Sequence, residues 1–130
     1  LNPTDRKYSR EHEWVKLEDA GSRRVLIGIT DYAQDQLGDI VFFELPKLGS
    51  TITQLGKMGE VESVKSVSDL FSPVSGEVLE INTNLLDHPE IANSDPFGEG
   101  WVLRVAMSDI TELDSLLTAE EYESFTSGQP

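Results

Sequence analysis

The chain has 130 residues, enough for one compact domain and too few for two cores of ordinary size. Hydrophobic residues make up 38% and cysteine is absent, so a packed core is expected while disulfides, thiolate nucleophiles and cysteine-ligated zinc are excluded. Ten lysines and arginines against 24 acids leave a net charge of −14, which disfavours nucleic acid and anionic membrane surfaces as main partners and favours basic or neutral proteins.

The N-terminal stretch Leu1-Asn2-Pro3-Thr4-Asp5-Arg6-Lys7 lacks the apolar segment of a signal peptide and a starting methionine, which leaves open a trimmed form and a removed targeting peptide. No apolar run approaches the roughly 20 residues of a membrane span. From Tyr8 to Leu17, alternating apolar side chains around His12-Glu13-Trp14-Val15-Lys16-Leu17 predict a strand with one buried face. Asp19-Ala20-Gly21-Ser22 reads as a turn into its hairpin partner, Arg24 to Ile29. Thr30 or Asp31 then caps a short helix over 32–37, and Gly38 ends it in a left-handed conformation.

The β signal returns from Asp39 to Ile52, with Leu45-Pro46-Lys47-Leu48-Gly49 as strand end and turn. Turn residues follow at short intervals: Gly56, Gly59, Pro73, Ser75-Gly76, Asn82, Asn84, Pro89, Pro96, Gly98 and Gly100. Short strands so separated predict a small sandwich or barrel, with late strands at 78–81 and 101–105. The tail is predicted helical. Asp109 starts a helix whose Leu113, Leu116 and Leu117 share a face, and Thr118 with Glu121 has capping-box spacing for a second helix ending near Phe125. Ser127-Gly128-Gln129-Pro130 is expected to fray. One domain is expected over 1–130, with a core over about 8–105 and a helical extension over 109–126.

Phosphate loops, dinucleotide fingerprints, nucleophile elbows and zinc-protease helices are not found in the sequence. His12 and His88 are far apart and read as surface or structural histidines, and the abundant carboxylates single out no acid/base pair. One cation stands out. Between Lys57 and Arg104 the only lysine or arginine is Lys65, set in Gly59-Glu60-Val61-Glu62-Ser63-Val64-Lys65-Ser66-Val67-Ser68-Asp69. That composition predicts two strands meeting at a tight turn with Lys65 at its tip. Spacing alone leaves it an ordinary exposed lysine.

The segment resembles the modification hairpin of lipoyl and biotinyl carrier domains, and the match to one family runs much further. His12-Glu13-Trp14-Val15, Gly28-Ile29-Thr30-Asp31-Tyr32-Ala33, Leu37-Gly38-Asp39-Ile40-Val41-Phe42, Glu44-Leu45-Pro46, Gly59 to Ser66, Ser72-Pro73-Val74-Ser75-Gly76, Asn93-Ser94-Asp95-Pro96 and Gly100-Trp101 follow the family's order. By these stretches the chain resembles the H proteins of the glycine cleavage system.

That resemblance implies a mainly β fold, the lipoyl/biotinyl barrel-sandwich hybrid of two small antiparallel sheets, with a short internal helix and C-terminal helices. Gly49-Ser50-Thr51-Ile52 and Gly76-Glu77-Val78 are a weak internal echo of its pseudo-twofold halves. The resemblance implies a carrier and not an enzyme, with lipoic acid in amide linkage to Lys65 and Glu62, Ser63, Val64 and Ser66 as the recognised hairpin. Its implied partners are a pyridoxal-phosphate glycine decarboxylase (P protein), an aminomethyltransferase (T protein) serving tetrahydrofolate, a flavin dihydrolipoamide dehydrogenase (L protein), and a lipoate ligase or lipoyl transferase. The absence of cysteine suits such an arm, since a nearby thiolate would attack its dithiolane.

By position in matching motifs, Glu13 and Asp69 resemble residues of the groove that shelters the cationic aminomethyl group. Glu11 and Gln36 depart from relatives that carry a small hydroxyl residue and a histidine there. The implied compartment is the bacterial cytoplasm, or the mitochondrial matrix if a presequence was removed. Other readings are a lipoyl relay or lipoyl domain serving 2-oxoacid dehydrogenases, an acidic binding module without a prosthetic group, and a small hydrolase using carboxylates.

Overall fold

A computed structural model describes residues 2–19 and 21–128. Ala20 of the predicted turn and Gln129-Pro130 of the predicted frayed end lie outside the described residues.

Among the described residues nine strands form two sheets, antiparallel throughout, and neither closes into a barrel. The larger sheet has six strands, in the order β1 (Lys7–Tyr8), β2 (Glu13–Leu17), β3 (Arg24–Ile29), β9 (Leu103–Met107), β8 (Gly76–Ile81) and β5 (Thr51–Ile52). The smaller has β4 (Ile40–Glu44), β6 (Lys57–Ser63) and β7 (Val67–Phe71). The mainly β, two-sheet class expected from the sequence is therefore the one observed. The two echo segments lie side by side, Thr51 opposite Glu77 and Ile52 opposite Gly76.

The β2–β3 hairpin pairs Glu13 with Ile29 and Leu17 with Val25. Its first strand is covered on both sides. Val15 joins the main core with Val25, Ile27, Val78, Leu103 and Val105, while Trp14 enters a second cluster with Tyr8, Leu117, Ala119 and Tyr122. Alternation thus marks two apolar surroundings, and the expectation of a single buried face is corrected. Gly28 lies opposite Trp14, where an added Cβ would come 2.5 Å from the indole, so only glycine lets the ring lie flat across β3. The indole N–H donates to the Pro96 carbonyl at 3.0 Å.

Helix α1 (Asp31–Leu37) is capped by Thr30, whose Oγ1 accepts from the Ala33 N–H at 3.1 Å. Gly38 ends it at φ 80 and ψ −157, a glycine region beyond the left-handed helical one expected.

Further boundaries differ from expectation, beginning with the strand expected from Tyr8 to Leu17, which is split into β1 and β2 by a turn over 9–12. The turn-rich stretch after β8 contains two short helices, α2 (Thr83–Asp87) and α3 (Ile91–Ser94), which bury Leu85 and Ala92. Strand β9 begins at Leu103 instead of Trp101 and continues to Met107. The segment after Asp109 is a 3-10 helix over Ile110–Ser115, so Leu113, Leu116 and Leu117 do not share an α-helical face. Leu116 caps it in extended backbone, which sends Leu116 to the main core and Leu117 to the aromatic cluster. The capping box is as expected: Thr118 and Glu121 bond reciprocally and open α4 (Ala119–Ser127), which runs slightly past Phe125.

Candidate functional site

Strands β6 and β7 pair Glu60 with Asp69, Val61 with Ser68 and Glu62 with Val67, so the chain reverses over Val64, Lys65 and Ser66. The bend is fixed from inside. Ser63 is buried, and its Oγ accepts from the backbone N–H groups of Lys65 (3.3 Å) and Ser66 (3.2 Å), while the Ser63 N–H donates to the Ser66 carbonyl at 2.8 Å. The Val64 N–H donates to the Asp39 carbonyl at 3.0 Å, tying the tip to the corner between α1 and β4.

That corner is braced in turn by Asn93 of α3. Its amide donates to the Gly38 carbonyl and to Gln34 Oε1, both at 2.9 Å, and its carbonyl accepts from the Ile40 N–H at 2.9 Å. Lys65 is exposed, and among the described residues its ammonium enters no salt bridge. Its stem passes the corner glycine, where a Cβ on Gly38 would lie 3.3 Å from Lys65 Cε. The result is a free amine on a rigid, protruding bend.

Beside the hairpin lies a cavity of about 300 Å³ whose lining includes Glu11, His12, Glu13, Tyr32, Gln36, Asp69 and Leu70. Glu13 and Asp69, singled out from the sequence, thus meet at one cavity, together with the departing positions Glu11 and Gln36. Lys65 does not line it.

Glu13 is 2% exposed. Its Oε1 accepts from Ser9 Oγ at 2.8 Å and its Oε2 from the Phe71 N–H at 3.4 Å. Burial pushes its carboxyl up to about 8, against the hydrogen bonds from Ser9 and Phe71 that pull it down. Asp69 pairs with Lys57 at 3.2 Å, and Lys57 also holds Glu60 at 2.8 Å.

His12, with a positive φ of 73, forms part of the wall. Its ring lies 4.7 Å from that of Tyr32, and its Nδ1 is 2.7 Å from the Tyr122 hydroxyl, which is 2.8 Å from Thr30 Oγ1. Burial lowers the imidazole's proton affinity, and the ring's tautomer sets which partner donates in the bond to the Tyr122 hydroxyl. His12 is thus structural, as expected, although it borders the candidate groove. His88 is exposed beside Glu90 at 3.6 Å. No cluster of acids and histidines able to hold a metal occurs among the described residues.

Asn93, Thr30 and Tyr122 were not read from the sequence as site residues. Asn93 and Thr30 stand in matching motifs, and Thr30 is also a cap candidate; Tyr122 carries no signal beyond its place in the tail.

A two-sheet domain that holds an exposed lysine on a braced bend, next to a groove with a buried carboxyl, has the form of a carrier for a covalently attached group. Residues 6–129 match the family model described as Glycine cleavage H-protein. A glycine cleavage system H protein of Coprothermobacter proteolyticus is 55% identical over 120 residues, 92% of each chain. One from Symbiobacterium thermophilum is 52% identical over 124 residues, 95% of this chain and 94% of that one. The crystal structure of a glycine cleavage system H protein from Mycobacterium marinum superposes with a TM-score of 0.88 at 40% identity, covering 97% of this chain and 99% of that one. The chain belongs to the glycine cleavage H-protein family. It is a lipoyl shuttle of the glycine cleavage system, a carrier and not a catalyst, and lipoic acid is its covalent prosthetic group.

Proposed function

We propose that Lys65 carries the lipoyl group, presented by Glu62, Ser63, Val64 and Ser66, and that Glu13 and Asp69 receive the cationic amine cargo. The observation that supports this reading is the Lys65 amine itself: exposed, outside any salt bridge among the described residues, and fixed at its root by Ser63 and Asp39. Amide formation removes the lysine's charge, and here no buried partner is left stranded by that loss. When bound, lipoic acid supplies a sulfur pair that takes up and releases the cargo and two electrons.

The chain's own part is placement and shelter. A rigid bend anchors the tether at one point, so a single prosthetic group reaches successive partners without leaving the protein. With its proton affinity centred near 8, the Glu13 carboxyl is mostly neutral at neutral pH; an ammonium placed beside it favours ionisation and turns a buried polar group into a paired charge. Asp69 adds a second acceptor, and the ring of His12 narrows the access of water.

As a member of the glycine cleavage system the chain interacts with that system's enzymes. We assign the order: a glycine decarboxylase loads the cargo, an aminomethyltransferase unloads it, and a dihydrolipoamide dehydrogenase reoxidises the arm, after a lipoate ligase or lipoyl transferase has installed it. No helix among the described residues is long and apolar enough to cross a membrane. The bacterial cytoplasm is the compartment we assign, with the mitochondrial matrix as the alternative for a form whose presequence was removed.

Peptide mass mapping after incubation with a lipoate ligase, ATP and lipoate tests the attachment site. One lipoyl mass is expected on Lys65 and none on a Lys65→Arg variant; modification of that variant at the same rate overturns the assignment. Glycine–bicarbonate exchange with a decarboxylase and the lipoylated chain tests the cargo, and no exchange would favour a relay to 2-oxoacid dehydrogenases.

A further inference from the structure

The outer face of the three-stranded sheet carries a feature that the shuttle chemistry does not use. Phe42 of β4 pairs with Glu62 of β6, and Glu62 with Val67 of β7, so the three form one cross-sheet row immediately below the lysine bend. Phe42 is 54% exposed and Val67 59%, and next to them Val41, the extra residue of the bulge in β4, is 46% exposed and Val64 at the tip 70%. Four apolar side chains thus stand in water on the bend that carries Lys65 and the strands beside it. The next row down, Glu44, Glu60 and Asp69, is acidic. Lys57 is the other cation on this sheet, and it is held by Glu60 and Asp69.

We propose that Phe42, Val41, Val64 and Val67 form the docking surface for the enzyme that acylates Lys65, which meets them with an apolar socket bordered by basic residues. The inference rests on Lys65 being the attachment site and extends that reading to its recognition. Reach decides the occupant. Forming the amide requires Nζ itself to come within about 3.5 Å of an activated acyl carbon, so the acylating enzyme must cover the residues that surround Lys65. Enzymes that act on the sulfurs work at the far end of the tether and are under no such constraint. In the step itself the acyl carbon of a lipoyl-adenylate bonds to Nζ, AMP leaves with the bonding pair of the mixed anhydride, and Nζ releases a proton to solvent.

Four exposed apolar residues on the bend that presents Lys65 and the strands beside it fit a contact made once, by a partner whose rim complements Glu62 and Glu44. Burying Phe42 in such a socket supplies affinity, while the acidic row sets orientation and salt dependence.

The test is steady-state acylation of the full chain by a lipoate ligase with ATP and lipoate. Phe42→Ala is expected to lower kcat/KM at least 10-fold, mainly through KM, and Val67→Ala about 3-fold or more. Leu79→Ala, an exposed leucine on the other sheet, should stay within 2-fold of the parent. Phe42→Ala loaded to completion by long incubation should be reoxidised by dihydrolipoamide dehydrogenase at the parental rate. Acylation of both Phe42→Ala and Val67→Ala within 2-fold of the parent overturns the proposal, as does a matching fall in the dehydrogenase rate. Peptide mapping of the parent keeps the two readings apart, because a lipoyl mass on another lysine strikes the attachment site and leaves these kinetics to be read independently.

Discussion

Gly38 lies against the stem of Lys65, so closely that a methyl group on the glycine would stand 3.3 Å from the lysine Cε. The same glycine has φ 80 and ψ −157, a backbone region open almost only to glycine. Gly38→Ala is therefore expected to cost about 1–3 kcal/mol, mostly from backbone strain, since the flexible lysine stem yields a few tenths of an ångström. Urea denaturation checks the loss. An unchanged midpoint would show that the corner relaxes freely and does not fix the bend.

Asn93 holds that corner through three hydrogen bonds, to the Gly38 carbonyl, the Ile40 N–H and Gln34. Asn93→Ala leaves the first two backbone groups without their partner, at a cost of about 1–3 kcal/mol. Because Asp39 between them accepts from the Val64 N–H, faster amide exchange is expected at Val64 as well as at Ile40. Loss of stability with unchanged exchange at Val64 would disconnect the brace from the lysine bend.

What the sequence disclosed follows from range. The β2–β3 hairpin, the β6–β7 bend and the Thr118–Glu121 box rest on neighbours in the chain, where alternation, turn residues and caps act directly. Helices α2 and α3 were invisible because each is barely more than a turn and buries few apolar residues, too few to set a 3.6-residue period. Leu113, Leu116 and Leu117 suit an α-helix by spacing. Once Leu116 is extended, however, its neighbour Leu117 points to the other cluster, and only the tertiary packing of Tyr8 and Trp14 decides that outcome. The candidate site divides the same way: the bend and the exposed Lys65 on it were legible from turn composition, while the family resemblance supplied the roles proposed for Lys65, Glu13 and Asp69. The brace from Asn93 and the hydroxyl chain from Tyr122 depend on contacts distant in sequence, which no local pattern encodes.

Tyr122 ties α4 to the wall of the groove. Its hydroxyl sits 2.7 Å from His12 Nδ1 and 2.8 Å from Thr30 Oγ1, and its ring stacks on Tyr8 at 4.9 Å. Tyr122→Phe keeps the stacking and removes the bridge, so a loss of about 1–2 kcal/mol is expected, together with a shifted His12 ring resonance. Equal stability and an unmoved imidazole signal would show that the phenol contributes nothing to holding His12.

The buried Glu13 carboxyl makes stability depend on pH with a sign opposite to that of an ion-paired acid. Its proton affinity is raised from an ordinary 4.5 to about 8 in the fold. Between those values the native chain keeps a proton that the unfolded chain has released. The contribution is therefore full below about 4.5 and is lost as pH rises through about 8, with a slope of up to about 1.4 kcal/mol per pH unit. Glu13→Gln has no charge to bury and lacks that slope. Subtracting its unfolding free energies from those of the parent cancels the titration of the other acids, so the difference isolates this carboxyl. It should move in the variant's favour across the window and level off on either side; a difference that stays flat would mean that Glu13 ionises in the native groove as readily as in the unfolded chain.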